Sequence, residues 1–138
     1  MRLLLLASTL AFAVACSPSD PELDAPTVEA VITDAERADI DCLSAKSVTK
    51  ITETIRDGVA AGMDPADLAE VPAAETANAI EQLQTIYTDQ TSAEALKSDI
   101  NYRLEMIQDA INNRNPGSDA EKVMNGTFEL AATCTFGS

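Results

Sequence analysis

The chain has 138 residues, 23 acidic against 9 basic, a formal net charge of −14, and neither histidine nor tryptophan. A length of this order, less a leader, makes one domain with enough chain for a core rather than two. The charge excludes nucleic acid as a partner, because phosphate binding needs clustered lysine and arginine and here they are scattered singly. Absence of histidine removes the commonest general base and the commonest transition-metal ligand.

The first element in chain order is a leader. Arg2 precedes an uncharged apolar run, Leu3 to Ala15, of thirteen residues. A bilayer-spanning helix needs about 20, whereas the apolar middle of a secretory signal takes about 7–15 and ends in small residues. Residues 1–15 therefore read as a signal peptide, with Ala13-Val14-Ala15 as its cleavage region.

Cys16 follows directly. Phe12-Ala13-Val14-Ala15-Cys16 resembles the lipobox of bacterial lipoprotein precursors, with Ala13 standing where leucine is usual. The resemblance covers only residues 1–17. It implies lipidation of Cys16, cleavage before it, and membrane attachment through the acyl chains. Ser17, rather than aspartate, favours the outer membrane by the same resemblance, on its periplasmic face. Plain cleavage at Ala15 is the alternative; it releases a soluble protein with Cys16 as a free first residue.

Residues 16–33 read as a flexible tether. Pro18, Pro21 and Pro26 oppose regular structure, while Asp20, Glu22 and Asp24 keep the segment solvated. Residues 34–138 read as the folded domain. Thr33 with Glu36 fits a helix-capping pair. A helical stripe then runs through Ile40, Leu43, Val48, Ile51, Ile55 and Val59, with Gly62 as its stop.

Asp64-Pro65 opens a short helix, with Asp64 as cap and Pro65 in the first turn, running to about Glu70. Pro72 starts a second long helix whose expected inner face is Ala74, Ala77, Ile80, Leu83, Ile86 and Tyr87. Thr88–Thr91 is a polar break, and Thr91 with Glu94 repeats the capping pattern. The third long helix carries Leu96, Ile100, Leu104, Ile107 and Ile111. Asn112 to Gly117 ends it. Ser118 with Glu121 caps the last, with Ala120, Val123, Met124, Thr127, Phe128, Ala131 and Cys134 inward.

These elements predict an all-α, up-down four-helix bundle with a short extra helix. With Cys16 lipidated, Cys42 and Cys134 remain, and an exported compartment permits a disulfide. In an up-down-up-down bundle the start of the first helix and the end of the fourth share a pole. An odd number of long helices would separate them beyond the ~7 Å limit between bridged Cα atoms. Pairing of Cys16 with either of them requires that lipidation fail.

Other motifs carry less. Ser47-Val48-Thr49-Lys50 has the S-x-x-K spacing of penicillin-binding enzymes, without the accompanying motifs and in too short a chain. Asn112–Asp119 is rich in oxygen ligands but lacks the alternation of a calcium loop. Acidic residues at helix starts complement the helix dipole. No catalytic residue, metal ligand or cofactor site stands out. The expectation is a non-enzymatic cell-envelope lipoprotein acting through protein contacts, as assembly factor, inhibitor or structural accessory. At fold level it is similar to pilotins, which escort secretion-pore subunits. The alternative is an exported binder of a small ligand or cation, which a pocket lined by Ile100, Leu104 and Ile107 would favour.

Overall fold

The computed structural model describes residues 32–137. The leader, Cys16 and nearly all of the tether lie outside the described residues. Five helices follow: α1 Asp34–Ala60, α2 Pro65–Leu68, α3 Val71–Leu83, α4 Gln90–Asn113 and α5 Asp119–Thr133. The four longer ones form an up-down-up-down bundle, and the Cys42–Cys134 disulfide closes it.

Local chemistry sets most of the helix ends. Thr33 Oγ1 accepts the Glu36 N–H at 3.1 Å, and Asp64 Oδ1 accepts that of Ala66 at 2.9 Å. Ser118 Oγ accepts the Glu121 N–H at 3.1 Å, while Glu121 Oε1 reaches back to the Gly117 N–H at 2.6 Å. The bonds to Thr33, Asp64 and Ser118 each satisfy a first-turn donor that has no partner within the helix, and the Glu121 carboxylate satisfies the N–H of the residue before the cap. Gly62 leaves α1 with φ +76, and Arg114 leaves α4 in the left-handed region at φ 45.

Two expectations are corrected. The cap of α4 is Asp89, not Thr91: its Oδ1 accepts the Ser92 N–H at 2.8 Å. Its carboxyl is held below the usual range chiefly by that bond, with the Ser92 hydroxyl second. In α3 the buried face is Thr76, Ala79 and Leu83; Ala74 and Ala77 are exposed, and the helix ends at Leu83 before Ile86 and Tyr87. In an alanine-rich helix, stripes about one residue apart are nearly equal in hydrophobicity, so packing decides between them.

α1 is the central element. It packs against α3, α4 and α5, and residues 42–45 and 47–48 are buried. The long parallel helices α1 and α4 pair with each other; α3 and α5 each pack on both, one on either side. The core is Ile40, Leu43, Val48 and Ile51 of α1, Ala79 and Leu83 of α3, and Leu96, Ile100 and Ile107 of α4. Phe128 and Phe136 pack against its edge. Among the described residues no helix is long and apolar enough to cross a membrane.

Candidate functional site

The chain enters the bundle at Ile32, and this pole is tied shut. Cys42 is 1 % exposed and is joined to Cys134, with Cα atoms 5.8 Å apart across 92 positions of sequence. The Asp39 carboxylate accepts the Tyr87 hydroxyl at 2.7 Å and the Gly137 N–H at 3.0 Å. One side chain of α1 thereby holds both the exit of α3 and the C-terminal segment. The same bond is the main cause that pushes the Tyr87 phenol up. The buried Glu36 carboxylate accepts the hydroxyl of Ser92, itself fully buried at the start of α4. Lys46 Nζ donates to the Ala131 carbonyl at 2.9 Å, fixing the end of α5.

Further along, one acidic pair is brought together that nothing in the sequence singles out. Arg103 of α4 bonds Asp99 at 2.8 Å and Thr127 of α5 at 2.9 Å, and lies 3.9 Å from Asp41 of α1. The Asp41 carboxyl is pushed up, first by burial and then by the negative charge of Asp99; Arg103 and Arg37 oppose this. A guanidinium shared between two carboxylates joins three helices. These groups spend their hydrogen bonds on each other rather than on an open cleft.

The remaining motifs resolve in the same way. Ser47 is buried, whereas the Lys50 ammonium faces Glu75 of α3 at 3.4 Å. The Asn112–Asp119 segment forms the α4–α5 turn, where Asn113 bonds Asp109 and Gly117 bonds Glu121. Among the described residues no three cysteine or carboxylate side chains are placed to hold a metal ion.

The opposite pole is open. Ile55 is half-buried, Val59 is 64 % exposed and Ile111 is 49 % exposed, so the outer ends of both expected core stripes face solvent. Helix length explains this. At ~1.5 Å per residue, α1 is ~40 Å long and α4 ~36 Å, while α3 and α5 reach only about 20–23 Å. The shorter helices cannot cover the ends of the longer pair. The short α2 folds back there: its Leu68 fills the space above Gly58, where any Cβ would collide with the leucine.

The uncovered surface is a groove of ≈ 520 Å³ lined by Ile51, Ile55, Pro72, Leu104, Ile107 and Ile111. Leu104 and Ile107, two of the three residues expected around a ligand pocket, line it. The third, Ile100, is 0 % exposed within the filled core. The groove was hidden in the sequence, because its residues continue the stripe of the core without a break. The available signal was unequal helix length.

No protein-family model, curated protein or solved structure matches this chain.

Proposed function

We propose that this chain is a cell-envelope lipoprotein, anchored through Cys16, that acts without catalysis by holding a segment of a partner protein. The observation that carries the reading is the apolar groove at the pole away from Ile32. Ile111 is exposed beside the half-buried Leu104, and with Ile55 and Pro72 they leave an apolar surface that a partner segment would cover. The leader supports the anchor, through Cys16 directly after a small-residue cleavage region. A helix lying in a groove between two helices is a recurrent mode of peptide recognition. Assembly factor, inhibitor and structural accessory are the roles such a device serves. The buried and half-buried carboxylates Glu36, Asp39 and Asp99 and the hydroxyls of Tyr87, Ser92 and Thr127 are engaged in bonds to other side chains of the bundle.

Two measurements test the parts separately. Intact mass of the protein recovered from membranes should equal residues 16–138 plus acyl groups, less the two hydrogens lost to one disulfide. An unmodified mass would remove the anchor and leave an exported soluble binder as the reading. A photo-crosslinking residue at position 111 of the full chain, expressed in the producing cell, should give a discrete heavier adduct. The same residue at Tyr102, equally exposed but on the other side of α4, should not. Equal labelling from both positions would refute capture in the groove.

A further inference from the structure

We propose that the polar pocket between α1 and α3 binds a free α-amino acid with an uncharged polar side chain, held by the Lys50–Glu75 ion pair and the Ser47 hydroxyl. The pocket has a volume of ≈ 380 Å³, toward the lower end of the range for small-molecule sites. It shares no lining residue with the apolar groove, so it is a separate site. Ser47 is the observation that points to a ligand. It lines the pocket at 9 % exposure, and its hydroxyl bonds to no other described residue. The hydroxyls of Thr52 and Thr133 instead donate to the carbonyl four residues back in their own helices. A nearly buried hydroxyl without a partner is unfavourable, and a bound polar group removes that cost.

Charge selects the class of ligand. The Lys50 ammonium and the Glu75 carboxylate meet at 3.4 Å, against about 2.8 Å for a charge-assisted hydrogen bond. Both groups therefore retain bonding capacity toward the pocket. An α-amino acid carries a carboxylate and an ammonium on one carbon, and sets each against its opposite in this pair. Asn78 and Gln82, one turn apart on α3, add carboxamides that donate and accept together. They suit an uncharged polar side chain running on from the head group. Other classes fit less well. Lys46 donates to the Ala131 carbonyl at 2.9 Å, so the pocket's remaining charges are Lys50 against Glu75 and Glu81, which disfavours phosphate and other anions. Among the described residues no three cysteine or carboxylate side chains are placed to hold a metal ion. An apolar ligand would meet only Leu43 and Ala79 and would strip water from the polar groups around them. A zwitterion carries no net charge for the −14 of the chain to repel.

The test is equilibrium dialysis of the full mature chain against labelled L-glutamine and L-asparagine. At least one should bind saturably, with a Kd of ~1 mM or tighter. Two analogues of the bound amino acid, one lacking the ammonium and one lacking the carboxylate, should each bind about tenfold more weakly or worse. Ser47→Ala and Glu75→Gln should each lose about tenfold or more while keeping the parent's helix content by circular dichroism. Lys122→Gln removes a cation on the exposed side of α5 and should leave affinity unchanged. The analogues are measured on the unaltered chain, so they decide even where a variant is destabilised.

Parent-like affinity in folded Ser47→Ala or Glu75→Gln would overturn the proposal. So would an analogue without the ammonium that binds as well as the amino acid, which would mark a simple carboxylate site. Absence of saturable binding by both amino acids would overturn it too, and would leave partner capture in the groove standing.

Discussion

The disulfide offers the most direct quantitative test of the architecture. Its bridge closes a loop of 92 positions between the start of α1 and the end of α5. In the chain-entropy description, such a loop removes ~4.6 kcal/mol of freedom from the unfolded state. The core it reinforces is small: among its nine buried members the largest are leucine and isoleucine. Domains of this size are typically stable by only about 5–15 kcal/mol, so the bridge is a large share of the total. Replacing both Cys42 and Cys134 with alanine should lower the melting temperature by roughly 18–28 °C, at about 4–6 °C per kcal/mol for a domain of this length. Urea denaturation followed by far-ultraviolet circular dichroism is the assay, because urea leaves the acidic self-repulsion unscreened. Helix content in buffer should persist, since Asp39 and Lys46 still tie the same pole. A loss under ~1 kcal/mol would refute the argument, and would mean that those bonds alone order the end of α5 in both states.

Three further outcomes follow from particular contacts. Gly126 lies in open space on α5 whereas Gly58 faces Leu68; Gly126→Ala should gain about 0.5–1 kcal/mol in helix propensity, and Gly58→Ala should show no such gain by urea denaturation. Ser44 Oγ is fully buried without a hydrogen-bond partner among the described residues, so Ser44→Ala should stabilise by about 1 kcal/mol, read in the same assay. Asp89 and Asp41 should give opposite pH signatures. Asp89 has a depressed folded-state pKa, so its contribution is present above the unfolded value and is lost as pH falls through the folded one. Asp41 has a raised one, so ionising it on the way to neutrality costs stability. Asp89→Ala should therefore be weaker than the parent at pH 7, and Asp41→Asn equal or stronger. Both differences should vanish in acid, which denaturation at a series of pH values will show.

What the sequence disclosed was decided locally or by parity. Thr33, Asp64 and Ser118 cap their helices because a side-chain oxygen next to a free N–H needs nothing from the rest of the fold. The Cys42–Cys134 pairing follows from an even number of antiparallel helices. The misreadings have the opposite character. Asp89 and Thr91 are both competent caps, and the carboxylate at Asp89 wins by reaching the Ser92 N–H. The inner face of α3 turned by about one residue, because only Leu83 on that helix is large, apolar and fully buried. Ile55, Val59 and Ile111 keep the spacing of core residues, yet Ile55 is only half-buried and Val59 and Ile111 are exposed. Periodicity records which side of a helix is apolar; whether a neighbour is long enough to cover that side is a property of the whole assembly.

This asymmetry links the fold to the proposed role. The ties that cross between distant parts of the chain gather toward the pole where the chain enters: Cys42–Cys134, Asp39 with Tyr87 and Gly137, Glu36 with Ser92, and Lys46 with Ala131. Arg103 joins α1, α4 and α5 below them. Toward the far pole the side-chain ties are fewer: the Lys50–Glu75 pair, Leu68 over Gly58 and the Ser118–Glu121 cap, with Ala110 and Ala120 buried between α4 and α5. A bundle stabilised evenly along its length would bury Ile55 and Ile111 to complete its core. Concentrating stability at one end removes that need, because opening costs are set region by region rather than uniformly. The long parallel helices can then carry apolar residues past the last core layer and still stay in register. Such an end is preorganised without being filled, which is the condition under which a short partner helix gains most for the surface it buries.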